Sequence, residues 1–73
     1  MPYVNIRITR EGATAEQKAA LIGGVTELLQ NVLGKNPATT MVNIDEADLE
    51  NWGIGGLPVL DYRAAQAAKG PAR

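Results

Sequence analysis

Seventy-three residues make one small domain, and folding buries only about 60% of the surface that so short a chain exposes when unfolded. With no cysteine and no histidine, the chain has no disulfide, no thiolate zinc site and no ordinary neutral-pH proton carrier. Seven basic residues against eight acidic ones leave a net charge of −1, which provides no field for nucleic acid or an anionic membrane.

No stretch approaches the roughly 18 apolar residues of a membrane span. The N-terminus lacks the basic and apolar regions of a signal peptide, so a cytoplasmic protein is the default expectation. The apolar share is 45%, but eleven of those residues are alanine, which adds little burial. Oligomerisation is therefore the expected means of stabilising the fold.

Residues 3–9 alternate. Val4, Ile6 and Ile8 point one way and Tyr3, Asn5, Arg7 and Thr9 the other, the period of a strand with one face on a core. REGA at 10–13 breaks the pattern, with Gly12 as the turn residue. Thr14 followed by Gln17 forms a capping-box pattern, so a helix is predicted over 15–33, with Gly34 as its stop. Leu21, Val25, Leu28 and Val32 make one apolar stripe on it, and Ile22, Leu29 and Leu33 a second beside it. One sheet face needs about one stripe, so the second is expected to meet another helix, from a second subunit. Gly23 and Gly24 in its interior mark either tolerated weakness or a close backbone approach.

KNPATT at 35–40 reads as a loop, and 40–45 alternates again, with Val42 and Ile44 on one face and Met41, Asn43 and Asp45 on the other. Strand, helix and strand in this order make a βαβ unit with parallel strands and a right-handed crossover. WGIGG at 52–56 and LPVL at 57–60 read as a glycine-rich turn with short extended pieces. Residues 61–73 either form a short helix or fray. The expected fold class is α/β (α+β): one domain over 1–73, a βαβ subunit with a C-terminal glycine-rich hairpin or turn.

No side chain here has an unperturbed pKa between 5 and 9, which leaves the α-amine as the group that titrates in that range. Removal of Met1 would give that amine to Pro2, a rigid secondary amine at the start of a strand. Its reference pKa of about 7.7–8.0 leaves roughly 10–15% as free base at pH 7, and apolar burial or a nearby guanidinium raises that share. Such a group serves as a general base or a nucleophile. On spacing alone, Pro2 reads first as a good opening residue of an edge strand, where a missing N–H does no harm.

MP at the start, the strand behind it, REGATAEQK opening the helix and NWGIGG near the end together resemble the tautomerase superfamily, in its short 4-oxalocrotonate tautomerase-like group. The resemblance spans about residues 2–60. It implies βαβ subunits assembled as a homohexamer, a trimer of dimers. It also implies catalysis by Pro2, moving a proton between carbon and oxygen of an enol or ketone without metal or organic cofactor. Trp52 falls where the family places an aromatic wall of the site. The family's two carboxylate-binding arginines do not match: Ala13 stands in the place of one, and Met41, or Val42 if the gap moves, in the place of the other.

Arginine forks a carboxylate through two charge-assisted bonds, which neither alanine nor methionine reproduces. Arg10 is then either a displaced positive charge or a solvated loop residue. Asn43 either hydrogen-bonds a substrate carbonyl or enolate or makes a polar contact at a subunit interface. Arg7 and Arg63 are weaker reserves. Asp45, Glu46, Asp48 and Glu50 read as a solvated turn rather than a metal site.

The implied substrate is a small anionic enol or keto acid. Two alternatives stay open: a hydratase or dehalogenase using protonated Pro2 as acid, and a non-catalytic subunit of a mixed oligomer.

Overall fold

Strand β1 (Tyr3–Thr9), helix α1 (Ala15–Leu33) and strand β2 (Met41–Ala47) form the expected βαβ unit in the computed structural model, which describes residues 1–68. The strands pair in parallel, with Tyr3 opposite Met41, Asn5 opposite Asn43 and Arg7 opposite Asp45. Val4, Ile6, Val42 and Ile44 are half-buried, whereas Tyr3, Asn5, Arg7, Met41 and Asn43 are exposed. Lys18 of α1 reaches Glu46, which shares the Val42–Ile44 face, and this places the helix over the apolar side of the sheet.

Both ends of α1 are fixed by local chemistry. Thr14 Oγ1 accepts from the Gln17 N–H at 3.1 Å, and Gln17 Oε1 accepts from the Thr14 N–H at 2.9 Å, so two orphan donors are satisfied reciprocally. Gly34 stops the helix at φ 69°, a left-handed conformation that costs other residues, and its N–H donates to the Gln30 carbonyl at 2.9 Å.

The 35–40 loop contains a 3-10 turn, Pro37–Thr39, capped by Asn36 Oδ1 accepting from the Ala38 N–H. β2 runs to Ala47, two residues beyond the predicted end. Asp45 and Glu46 therefore belong to a strand and not to a solvated turn.

A second 3-10 turn, Leu49–Asn51, leads to a small antiparallel hairpin of β3 (Gly53–Ile54) and β4 (Leu57–Pro58). Gly55 and Gly56 join the strands with φ of 62° and 85°, and positive φ at both positions suits a two-residue hairpin turn. The extended reading of LPVL holds only for Leu57 and Pro58, because helix α2 (Val59–Ala68) starts at Val59. The Val59 N–H donates to the Trp52 carbonyl at 2.7 Å, and the alanine-rich segment then propagates the helix. Helix rather than fraying is thus the outcome for 61–68; the rest of the tail lies outside the described residues.

Val59 is the buried hydrophobic residue of the described chain, at 8% exposure. On α1, Leu28 and Val32 of the first predicted stripe and Leu33 of the second remain 59%, 69% and 60% exposed, while Val25 and Leu29 are half-buried. The uncovered apolar surface therefore draws on both stripes and not on the second alone. The radius of gyration is 16.7 Å, against about 11 Å for a compact domain of this length.

Candidate active site

Pro2 stands at the head of the sheet. Its carbonyl accepts from the Met41 N–H at 3.0 Å, so the parallel ladder extends to the residue that would be terminal after Met1 removal. Pro2 is half-buried and Met1 is 83% exposed.

Arg10 lies at the far end of β1. Eight strand steps of about 3.3 Å place it roughly 26 Å from Pro2, several times the reach of an arginine side chain. Its Nε donates to Asp48 Oδ1 at 2.9 Å, and its terminal nitrogens approach the Glu46 carbonyl at 3.3 Å and Glu46 Oε1 at 3.5 Å. The bond to Asp48, with the charges of Glu46 and Asp48, raises the Arg10 pKa and keeps the guanidinium charged.

Trp52 is half-buried and follows the 3-10 turn after β2, so it shares the Arg10 end of the chain. Asn43 lies midway, on the open face of the sheet. Its Nδ2 donates to Asn5 Oδ1 and to Asp45 Oδ1, each at 3.0 Å. Asp45 in turn approaches Arg7 at 3.5 Å. Of the four candidate site residues, one chain therefore brings Arg10 and Trp52 to one end, holds Asn43 in the middle and sets Pro2 at the other end. No pocket forms among the described residues.

Three features escaped the sequence reading. Glu46 is the least exposed of the carboxylates in the ion pairs, at 11% of its side chain, and accepts from Lys18 Nζ at 2.5 Å. That bond, with the charges of Lys18 and Arg10, outweighs desolvation and lowers the Glu46 pKa. Continuing the Val42–Ile44 alternation by one step would have exposed its place under α1. The second feature is the Arg10–Asp48 pair. The third joins the first loop to the last helix: Arg63 donates from Nη1 and Nη2 to the two oxygens of Glu11 at 2.9 and 3.2 Å, and Glu11 also accepts from Thr9 Oγ1. Arg63 and then Thr9 lower the Glu11 pKa.

The family model for tautomerase enzymes matches residues 2–62, and so takes in all four candidate residues. The chain belongs to the tautomerase family. It is accordingly an enzyme of the isomerase class. A probable tautomerase of Dickeya dadantii is 65% identical over 63 residues, covering 86% of this chain and 94% of that protein. A 2-hydroxymuconate tautomerase of Comamonas testosteroni is 40% identical over 57 residues, covering 78% of this chain and 89% of that one. Among solved structures, DmpI of Helicobacter pylori superposes with a TM-score of 0.77 at 47% identity, covering 82% of this chain and 98% of that chain.

Within the tautomerase frame, Ala13 is half-buried at the start of α1 and Met41 is 48% exposed beside Pro2. Among the described residues, Arg7, Arg10 and Arg63 each face a carboxylate of the same chain. A substrate anion held by one of these three arginines must compete with the carboxylate it faces.

Proposed function

We propose that this tautomerase uses the imino nitrogen of Pro2, freed by removal of Met1, as the general base that isomerises a small anionic enol or keto acid. The observation that carries the reading is the position of Pro2: the ladder bond from Met41 fixes this residue in a chain without histidine or cysteine. The nitrogen lone pair takes the enol hydroxyl proton as the carbonyl forms, and the resulting ammonium returns a proton to carbon. The reaction is proton-neutral overall and needs no co-reactant.

Negative charge develops on the substrate oxygen between the two transfers, and donors aimed at that oxygen stabilise it. Arg10, Asn43 and Trp52 are the proposed substrate-binding residues. The roughly 26 Å between Pro2 and Arg10 means that Arg10 reaches a given Pro2 only from a neighbouring subunit. The exposed stripe of Leu28, Val32 and Leu33 supports such an assembly. A homohexamer built as a trimer of dimers is the arrangement we propose.

The test is a Pro2→Ala variant, checked by intact mass for loss of Met1 and assayed with phenylenolpyruvate as a trial enol acid. Loss of a positioned base is expected to lower kcat/KM at least about a hundredfold while assembly is kept. Equal turnover in the two proteins would remove Pro2 from the mechanism.

A further inference from the structure

We propose that Glu11 and Arg63 act as a positioning pair, holding the hairpin that carries Trp52 in a fixed relation to the loop that carries Arg10. The inference rests on the functional reading above, in which Trp52 and Arg10 meet substrate.

Three links close a ring around the segment between β2 and α2. Arg10 Nε holds Asp48, which precedes the 3-10 turn before Trp52, at 2.9 Å. The Trp52 carbonyl accepts from the Val59 N–H at 2.7 Å. Arg63 lies four residues after Val59, on the same face of α2, and forks Glu11 with bonds of 2.9 and 3.2 Å.

Arg10 and Glu11 are adjacent, so one loop grips the chain on both sides of Trp52. The hairpin and α2 are themselves packed together: a Cβ placed on Gly55 would stand 3.5 Å from the Tyr62 ring. They are thus held to the loop through both of its charged residues.

The pair lies outside the sheet, and its side chains are 49% and 41% exposed, so it adds little to stability. Its geometry is the informative part. A two-bond fork fixes direction as well as distance, which a single charge contact does not. Thr9, the last residue of β1, donates to the same carboxylate and anchors Glu11 to the sheet. Arg63 also lies one residue past the tautomerase match at 2–62, so the grip couples the matched domain to the helix that continues beyond it.

The experiment uses the full chain after Met1 removal, with phenylenolpyruvate as substrate and Trp52, the single tryptophan, as the optical probe. Four variants are compared: Arg63→Gln, Glu11→Gln, the double variant and Arg63→Lys. The expected result is that each Gln variant raises KM about three- to fivefold, with kcat and thermal midpoint unchanged. Acrylamide quenching of Trp52 should rise in both, the double variant should be no worse than either single one, and Arg63→Lys should restore part of the loss.

Opposite KM changes in the two Gln variants would overturn the proposal, since Arg63 would then bind substrate itself with Glu11 as its competitor. Wild-type quenching and KM in both would overturn it as well. If Pro2→Ala keeps full turnover, the functional reading falls, and Trp52 quenching still judges the pair.

Discussion

Subunit mixing turns the length of one strand into a test of the active site. Pro2 and Arg10 sit at opposite ends of β1, roughly 26 Å apart, and no rotamer closes that gap. The site proposed above then takes Pro2 from one chain and Arg10 from another. Two variants are made, Pro2→Ala and Arg10→Ala, each with Met1 removed. Alone, the first is expected to keep about 1% of activity or less. The second should lose about tenfold or more in kcat/KM through its charge-assisted bonds to substrate.

Dissociating both in mild denaturant and reassembling them together scrambles the chains. Half of the Pro2 positions and half of the Arg10 positions are then intact, so about a quarter of the sites pair two intact residues in a symmetric assembly. The mixture should recover about a quarter of wild-type turnover, well above the mean of its parents. The readout is initial rate against the ratio of the two variants, with native mass spectrometry confirming mixed species. A rate equal to the parental average at every ratio, in verified mixed oligomers, would refute the intersubunit site.

Two further outcomes follow from the fold. Val32 is 69% exposed between Leu28 and Leu33, so Val32→Asp should weaken assembly at least about tenfold by burying a charge in the contact, while α1 keeps its helicity. Sedimentation velocity reads the change, and an unshifted mass would place the subunit contact elsewhere. The Glu46 carboxyl titrates below its unfolded value because of Lys18, so its stabilising effect is full above about pH 4.5 and is lost as pH falls through the lowered folded value. Glu46→Gln should therefore flatten the dependence of the thermal midpoint on pH below about 4.5; an unchanged slope would show that the Lys18 pair does not carry it.

What the sequence disclosed follows from how local each signal is. The alternation of Val4, Ile6 and Ile8 and the Thr14–Gln17 box set the bounds of β1 and α1, because each depends on residues a few positions apart. The end of β2 was hidden because Glu46 replaces an apolar residue on the inner face, and its partner Lys18 lies 28 positions away. The start of α2 was hidden because LPVL carries no side-chain cap, and its first N–H is satisfied by the Trp52 carbonyl across the hairpin.

At the candidate site, elimination pointed to the nitrogen of Pro2 as the one group able to titrate near neutrality once exposed, and the family resemblance, not the spacing, set it above an ordinary edge-strand residue. The surroundings of Arg10 were not legible. Asp48 is 38 residues from it, and nothing in either segment names the other. The Glu11–Arg63 fork spans 52 residues and ties the first loop to a helix whose existence was left open.

Titration of the Pro2 nitrogen is the most direct measurement. In mature protein labelled with nitrogen-15 at proline, the shift of that nitrogen is followed with pH beside the pH–rate profile for phenylenolpyruvate. The expected result is proton loss at or below the ordinary amine value of about 7.7–8.0, with kcat/KM rising through the same pH. A nitrogen still acylated by Met1 in fully active enzyme would contradict the account, and so would activity that falls as this proton leaves.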